Sequence, residues 1–217
     1  MKYILFDLDG TLTDPAVGIT TSVKYALDKM GRPTGDISEY NRFIGPPLRN
    51  SFREWYGMSA EEAEQTVAYY REYFSPTGIF QNRVYDGIPE ALSRLIGDGY
   101  GIALATSKPE VFARRILERF DLEKYFDFIG GSTLDGTREE KWEVVKFVLD
   151  GTGCAARDAI MVGDRENDII GAKKNGVRSL GVLYGYGTRE ELVSAGADAV
   201  CESVETLYDA IKELDRQ

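Results

Sequence analysis

Two acidic stretches set the chemical question. Asp7 and Asp9 lie in FDLDGTLTD (6–14), directly after the apolar run Tyr3–Phe6, and Asp14 closes the stretch. Asp164 and Asp168 lie in Gly163-Asp164-Arg165-Glu166-Asn167-Asp168, directly after the apolar run 159–162. Like charges this close repel and raise one another's pKa. Such a cluster needs a reason: a bound cation, phosphate chemistry or a calcium loop. An EF-hand loop wants acids at alternate positions, Gly sixth and Glu twelfth. Counted from Asp7, Gly10 is fourth, Thr11 fifth and Gly18 twelfth, so the calcium loop fails.

The chain has no histidine. That removes Ser-His-Asp triads, Cys-His pairs, His-ligated zinc and histidine phosphorelay. Acid–base work falls to carboxylates, Lys, Tyr or Cys. Oxygen ligands alone favour a hard cation. Mg²⁺ fits, because it takes few protein carboxylates and keeps waters and substrate phosphate oxygens. A phosphate would find partners nearby. Thr106-Ser107-Lys108 ends the run GIALA (101–105), and hydroxyls with free N–H groups at a helix start hold phosphate oxygens. Lys141 opens a helix after Gly136-Thr137-Arg138 and could supply a fixed cation, with Arg138 its rival. Lys108 is expected to face solvent. Gly10 permits the turn that swings Asp9 away from the strand.

These residues need a frame. Apolar runs at 3–6, 101–105, 126–129, 159–162, 177–182 and 199–200 read as buried parallel strands. Helical patterns at 109–120, 139–149, 166–175 and 204–214 separate them. The alternation predicts an α/β fold, a Rossmann-like parallel sheet with helices on both faces and right-handed crossovers. Ligands of such sheets lie beyond the carboxyl ends of the strands. If the first strand and the 159–162 strand are central, Asp7, Asp9, Asp164 and Asp168 converge at that edge. Residues 15–83 break the alternation, with helical patterns at 16–30, 47–56 and 60–73 and no good strand. Leu48, Phe52, Trp55 and Tyr56 repeat at helical spacing. Turn formers mark both joints, Asp14-Pro15 and Ser75-Pro76-Thr77-Gly78. The expected organisation is an α/β core of 1–14 with 84–217 and a small inserted α-helical domain of 15–83.

Length and charge agree with this frame. A chain of 217 residues suits a core with a smaller insert. A net charge of -10 argues against a nucleic-acid polymer or an anionic membrane as partner. The two cysteines, Cys154 and Cys201, stand far apart and outside any CxxC, which suits a reducing, cytoplasmic setting. The N-terminus has no signal-peptide pattern, and no run approaches the roughly 20 apolar residues of a membrane span.

The order DxDGT, a strand ending in Thr-Ser, a later Lys and GDxxxD resembles the haloacid dehalogenase-like superfamily of phosphatases, across nearly the whole chain. The helical insert just after the first motif is similar to the cap of its phosphoglycolate-phosphatase-like members. The resemblance implies a Mg²⁺-dependent phosphatase working through an aspartyl-phosphate. Asp7 would be the nucleophile, and Asp9 general acid and then base. Thr106 would hold a phosphoryl oxygen, with Ser107, Gly10 and Thr11 completing the phosphate-binding set. Lys141 would neutralise charge on Asp7 and the phosphoryl group. Asp164 would ligate the metal beside Asp7 and the main-chain carbonyl of Asp9. Asp168 would bind or orient the metal's waters, unless it merely caps its helix or pairs with Arg165. Elementary electrostatics agrees. A carboxylate approaching a phosphate meets a repulsion of about 4 kcal/mol per charge pair at ~4 Å and an effective dielectric near ~20. Mg²⁺ and a lysine together reverse that sign.

The expected substrate is a small phosphorylated metabolite, such as phosphoglycolate, a nucleotide or a sugar phosphate, and the expected state a monomer or homodimer. Two rivals differ from this. A phosphomutase of the same superfamily typically has a cap His just past the first motif, where Gly18 and Ile19 stand here. A phospho-accepting regulatory domain would be smaller, without an insert, and would avoid Asp9. In the insert, Ile44-Gly45-Pro46-Pro47 opens a helix. Gly45 is expected to bring backbone near a ligand, and Arg49 to read the substrate's anionic part. The plainer alternative is a solvated cationic face of Arg49 and Arg53 paired with Glu54.

Overall fold

Tyr3–Phe6 is buried at every side chain, as a strand covered on both faces must be. In the computed structural model, which describes all 217 residues, this strand is β1. The others are β2 (Thr13–Asp14), β3 (Arg83–Val84), β4 (Gly101–Pro109), β5 (Phe128–Ser132), β6 (Ala159–Gly163), β7 (Arg178–Val182) and β8 (Ala199–Cys201). Six of them form one sheet in the order β5-β4-β1-β6-β7-β8, and β2 with β3 makes a separate two-stranded ribbon. Every pairing in the large sheet is parallel. Ranked by chain position, its strands run 3-2-1-4-5-6, the doubly wound order whose switch point falls beside the first strand. Here that point lies between β1 and β6, the two strands that the acidic motifs follow.

Nine helices accompany the strands: α1 (Ala16–Lys29), α2 (Leu48–Tyr56), α3 (Ala60–Phe74), α4 (Ile88–Gly97), α5 (Glu110–Arg119), α6 (Lys141–Thr152), α7 (Glu166–Lys174), α8 (Arg189–Ala195) and α9 (Val204–Asp215). The chain divides into two compact units, Met1–Asp14 with Val84–Gln217, and Pro15–Arg83.

In the α/β unit, Tyr3, Leu5, Ala103, Ala105 and Met161 of the sheet pack on Val144, Val145 and Val148 of α6 and Ala172 of α7. Register explains one glycine. Tyr3 stands opposite Gly101, and a Cβ there would collide with the tyrosine ring. Two expectations need correcting. The strand read as 101–105 runs on to Pro109, with a register shift between Thr106 and Pro109. The strand read as 126–129 is Phe128–Ser132 and includes Gly130 and Gly131. Glycine is poor in isolated strands, but here Val148 crowds Gly130, and the backbone of Glu110 would lie 2.7 Å from a Cβ on Gly131. Two helices went unread. α4 buries Ile88, Ala91, Leu92 and Leu95 on one face. α8 is a short polar helix with Leu192 as its buried residue.

The helical unit is held by aromatic contacts. Phe43, from the 3₁₀ turn Ile37–Phe43, meets Phe52 at 5.0 Å and Trp55 at 4.8 Å between ring centres. α1 packs on α3, and Gly18 lets the chain at Gly78 approach where a Cβ would overlap its carbonyl. Capping boxes at Asp36/Glu39 and Ser59/Glu62 start the 3₁₀ turn and α3.

Candidate active site

β1 ends one residue before Asp7, whose main-chain N–H continues the ladder to the Val162 carbonyl at 2.9 Å. The chain then turns sharply. The N–H groups of Leu12 and Thr13 both donate to the Leu8 carbonyl, and Gly10 takes a φ of 83°. A side chain at Gly10 would run into the Asp164 carboxylate. So Gly10 is fixed twice, by backbone hand and by a close approach. Asp164 follows β6, and Asp168 stands in the first turn of α7, where its Oδ2 accepts from the Arg165 N–H at 3.1 Å.

The sheet brings Asp7, Asp164 and Asp168 together. All are buried, and their carboxylate oxygens lie within 4.8 Å of one another. Lys141, the first residue of α6, reaches into this group. Its Nζ sits 2.8 Å from Asp7 Oδ1, 2.7 Å from Asp168 Oδ1 and 3.0 Å from the Ala105 carbonyl. Arg138 is not the cation of this cluster. Its Nε donates to the Gly131 carbonyl at 2.8 Å and its guanidinium stacks on Phe147. Asp168 caps α7 and pairs with Lys141, whereas Arg165 pairs with Glu191 at 2.8 Å.

Lys108 corrects the sequence reading. It does not face solvent. It is 9% exposed, and its Nζ lies 2.7 Å from Asp9 Oδ2. The register shift at the end of β4 explains the error, because a bulge re-aims the residues beside it. Thr106 is buried, and its hydroxyl accepts from the Lys108 N–H at 3.2 Å. Ser107 Oγ and Asp9 Oδ1 are buried with no hydrogen-bond partner. Leaving such an atom unmet costs about 1–3 kcal/mol, so both read as places for something outside the protein. Thr11 is fully buried, with its hydroxyl 3.4 Å from Asp164 Oδ1.

Sequence reasoning also missed the loop after β7. The Tyr186 N–H donates to Asp164 Oδ2 at 2.8 Å, and its hydroxyl donates to Asp14. Tyr184 donates to the Thr11 carbonyl at 3.1 Å. Gly185 and Gly187 flank Tyr186 so closely that a Cβ on either would overlap the Gly10 carbonyl or Asp164 itself. The available signal was LYGYG directly after a strand at the ligand edge of the sheet.

Gly45 and Arg49 belong to the helical unit. Gly45 has a φ of 102°. The Arg49 partner is Glu64, not Glu54, held by a two-pronged contact of 2.5 Å at Nε and 3.1 Å at Nη2.

The electrostatics ask for a cation. Four buried carboxylates, Asp7, Asp9, Asp164 and Asp168, face two buried ammoniums, Lys108 and Lys141. Burial, then repulsion from Asp168 and Asp7, pushes Asp164 well above the usual carboxylate range. Burial also lifts Asp168 to about 6 against the pull of Lys141. Asp9 is raised by burial, with Lys108 opposing. Burial alone would lower Lys141, but Asp168 and Asp7 outweigh it and keep it charged. A dication would restore the missing balance, and an all-oxygen donor set suits Mg²⁺.

The doubly wound sheet thus carries two acidic loops and a buried lysine at its switch point. The family model described as haloacid dehalogenase-like hydrolase matches residues 4–182, and the chain belongs to that family. Among its relatives is a 5'-nucleotidase of Pseudomonas aeruginosa, 46% identical over 96% of this chain and 95% of the relative. Another is the tyrosine-protein kinase PtkA of Mycobacterium tuberculosis, 36% identical over 98% of this chain and 72% of the relative. A solved structure described as a predicted phosphatase from Clostridium acetobutylicum superposes with a TM-score of 0.96 at 50% identity, covering 98% of each chain. The protein is an enzyme of the family's phosphatase class.

Proposed function

We propose that the chain hydrolyses a small phosphomonoester, with a 5'-nucleotide the first candidate, in a Mg²⁺-dependent reaction through phospho-Asp7. The observation that carries this is the ring of charge around Asp7: Lys141 at 2.8 Å, with Asp164 and Asp168 completing an oxygen donor set. The nucleotide candidate rests on the Pseudomonas relative.

In this reading Asp7 Oδ attacks phosphorus. Lys141, its Nζ 2.8 Å from Asp7 Oδ1, screens the approaching anions. Ser107 Oγ, with its unmet hydrogen-bonding capacity, and the Thr106 hydroxyl donate to phosphoryl oxygens, whereas the N–H groups of Gly10 and Thr11, expected to share that role, donate to the carbonyls of Thr13 at 2.7 Å and Leu8 at 3.3 Å. Asp9 gives a proton to the leaving oxygen, then takes one from the water that hydrolyses the acyl-phosphate. Asp7, Asp164, Asp168 and the main-chain carbonyl of Asp9 would hold Mg²⁺, whose charge would offset the repulsion between nucleophile and phosphate. Pro15–Arg83 would serve as the cap that excludes water, with Gly45 and Arg49 reading the substrate. For Arg49 that requires exchanging Glu64 for the substrate anion.

A second reading, phosphoryl transfer to a tyrosine, draws on the mycobacterial relative, a tyrosine-protein kinase. One panel separates the two. Phosphate release is measured from nucleoside monophosphates, phosphoglycolate, sugar phosphates, pyrophosphate, phosphotyrosine and p-nitrophenyl phosphate, with Mg²⁺, with chelator, and with Asp7→Asn. Release that needs the metal and Asp7 supports the phosphatase. A chain that releases nothing but moves phosphate from a nucleoside triphosphate to a tyrosine peptide would replace it.

A further inference from the structure

The contact between Lys108 and Asp9 is made by one oxygen of the carboxylate. Lys108 Nζ lies 2.7 Å from Oδ2, and both side chains are nearly closed to solvent. The other oxygen, Oδ1, is buried and has no hydrogen-bond partner. The lysine arrives there because β4 continues past Thr106 with a register shift, and the Thr106 hydroxyl accepts from its N–H at 3.2 Å. The same short segment therefore carries a hydroxyl and the anchor of Asp9. Lys141 divides its ammonium between Asp7, Asp168 and a carbonyl.

We propose that Lys108 is a positioning residue for Asp9: it fastens Oδ2 and so presents Oδ1 alone to the leaving-group oxygen. This rests on the phosphatase reading, in which Asp9 handles the proton. In the step it serves, a bond forms between an Asp7 oxygen and phosphorus, and the bond from phosphorus to the leaving oxygen breaks. The proton on Asp9 Oδ1 passes to that oxygen. The electron pair left on Asp9 makes a carboxylate whose Oδ2 already lies against an ammonium. A side chain held in one rotamer by a charged partner spends more of its time at the transfer distance than a free one.

A lysine that worked only by holding the fold, or by touching the phosphate, would affect all substrates alike. One that acts through Asp9 matters only where the leaving group needs a proton. The test compares kcat/KM for the best alkyl phosphate of the panel and for p-nitrophenyl phosphate, whose leaving group needs none. This ratio reports steps up to phosphorylation of Asp7 and leaves out the later attack by water. For Lys108→Met the expected loss is about 100-fold or more on the alkyl ester, within the range of a lost general acid, and less than about tenfold on the aryl ester. Lys108→Arg should recover part of the alkyl loss. The double variant Asp9→Asn/Lys108→Met should be no slower than Asp9→Asn alone, as expected for residues acting as one unit. Melting curves check folding, and if Lys108→Met does not fold, Lys108→Gln takes its place. Equal losses on the two esters, or losses that add in the double variant, overturn the proposal while leaving the phosphatase standing. No hydrolysis of either ester by the wild-type chain removes the phosphatase reading and this proposal with it.

Discussion

The two units treat charge in opposite ways. In the α/β unit, four carboxylates and Lys108 are buried within a few residues of the carboxyl ends of β1, β4 and β6, and the buried ammonium of Lys141 joins them from the start of α6. In the helical unit the ion pairs lie at the surface: Arg49 with Glu64, Lys29 with Glu72 and Arg32 with Glu62. Its interior is aromatic instead, built from Phe43, Phe52 and Tyr70. Buried charges cost several kcal/mol each unless well paired, and exposed pairs contribute about 0–1 kcal/mol. The α/β unit thus accepts instability to hold reactive groups. The helical unit spends its burial on packing.

The sharpest contrast comes from the interiors. Phe52→Ala should cost about 3–5 kcal/mol of stability, read by denaturant titration. Its effect on Mg²⁺ affinity should be small, because Phe52 touches Phe43 and Tyr56 rather than any acid. Gly187→Ala should behave the other way. A methyl group there overlaps the Asp164 carbonyl, so the loss, on the order of 2–3 kcal/mol from a close-packed strained site, should come with weakened metal binding by calorimetry. Equal metal affinity in both variants would break the comparison.

Acidity gives the next test. The raised values of Asp164 and Asp168 mean that the folded chain holds protons which the unfolded chain releases. Both states are protonated below the unfolded value near ~3.9. Above it the unfolded state ionises first, so this site loses stability as pH climbs from about 4 towards the folded value of about 6 and beyond. Mg²⁺ favours the ionised form. The rise in Tm on adding Mg²⁺ should therefore be larger at pH 7.5 than at pH 5.5. A rise that shrinks with pH would show that these acids do not hold the metal.

The smallest effect is expected at Arg49. Its partner Glu64 is 57% exposed, so Arg49→Ala should shift stability by less than about 1 kcal/mol. If Arg49 reads the substrate, KM rises for the preferred ester while kcat/KM for inorganic pyrophosphate barely moves. Unchanged KM for every substrate would leave it a surface pair.

Much of this was written locally. DxDGT after a buried apolar run and GDxxxD after another place Asp7, Asp9, Asp164 and Asp168 at strand ends. Parallel strands buried on both faces are continuous apolar runs that a linear sequence displays. The α-helical pattern of 16–30 and 60–73 was equally legible from its period, and α1 and α3 differ from it by one residue. Lys141 was legible as the opening residue of a helix that follows a turn. α4 carried the same signal in Ile88, Ala91, Leu92 and Leu95 and went unread, whereas α8 buries too little to show a period.

What the tertiary structure decided is which charge meets which. Lys108 turns inward because β4 slips register beside β5, a relation between two strands. Tyr186 reaches Asp164 from 22 residues away and Lys141 reaches Asp7 from 134. Arg49 meets Glu64 on a neighbouring helix instead of Glu54 on its own. Periodicity is a property of consecutive residues and survives in the sequence. The partner of a buried charge is set by strand order, register and close approach of glycines, and these exist only once the chain has folded.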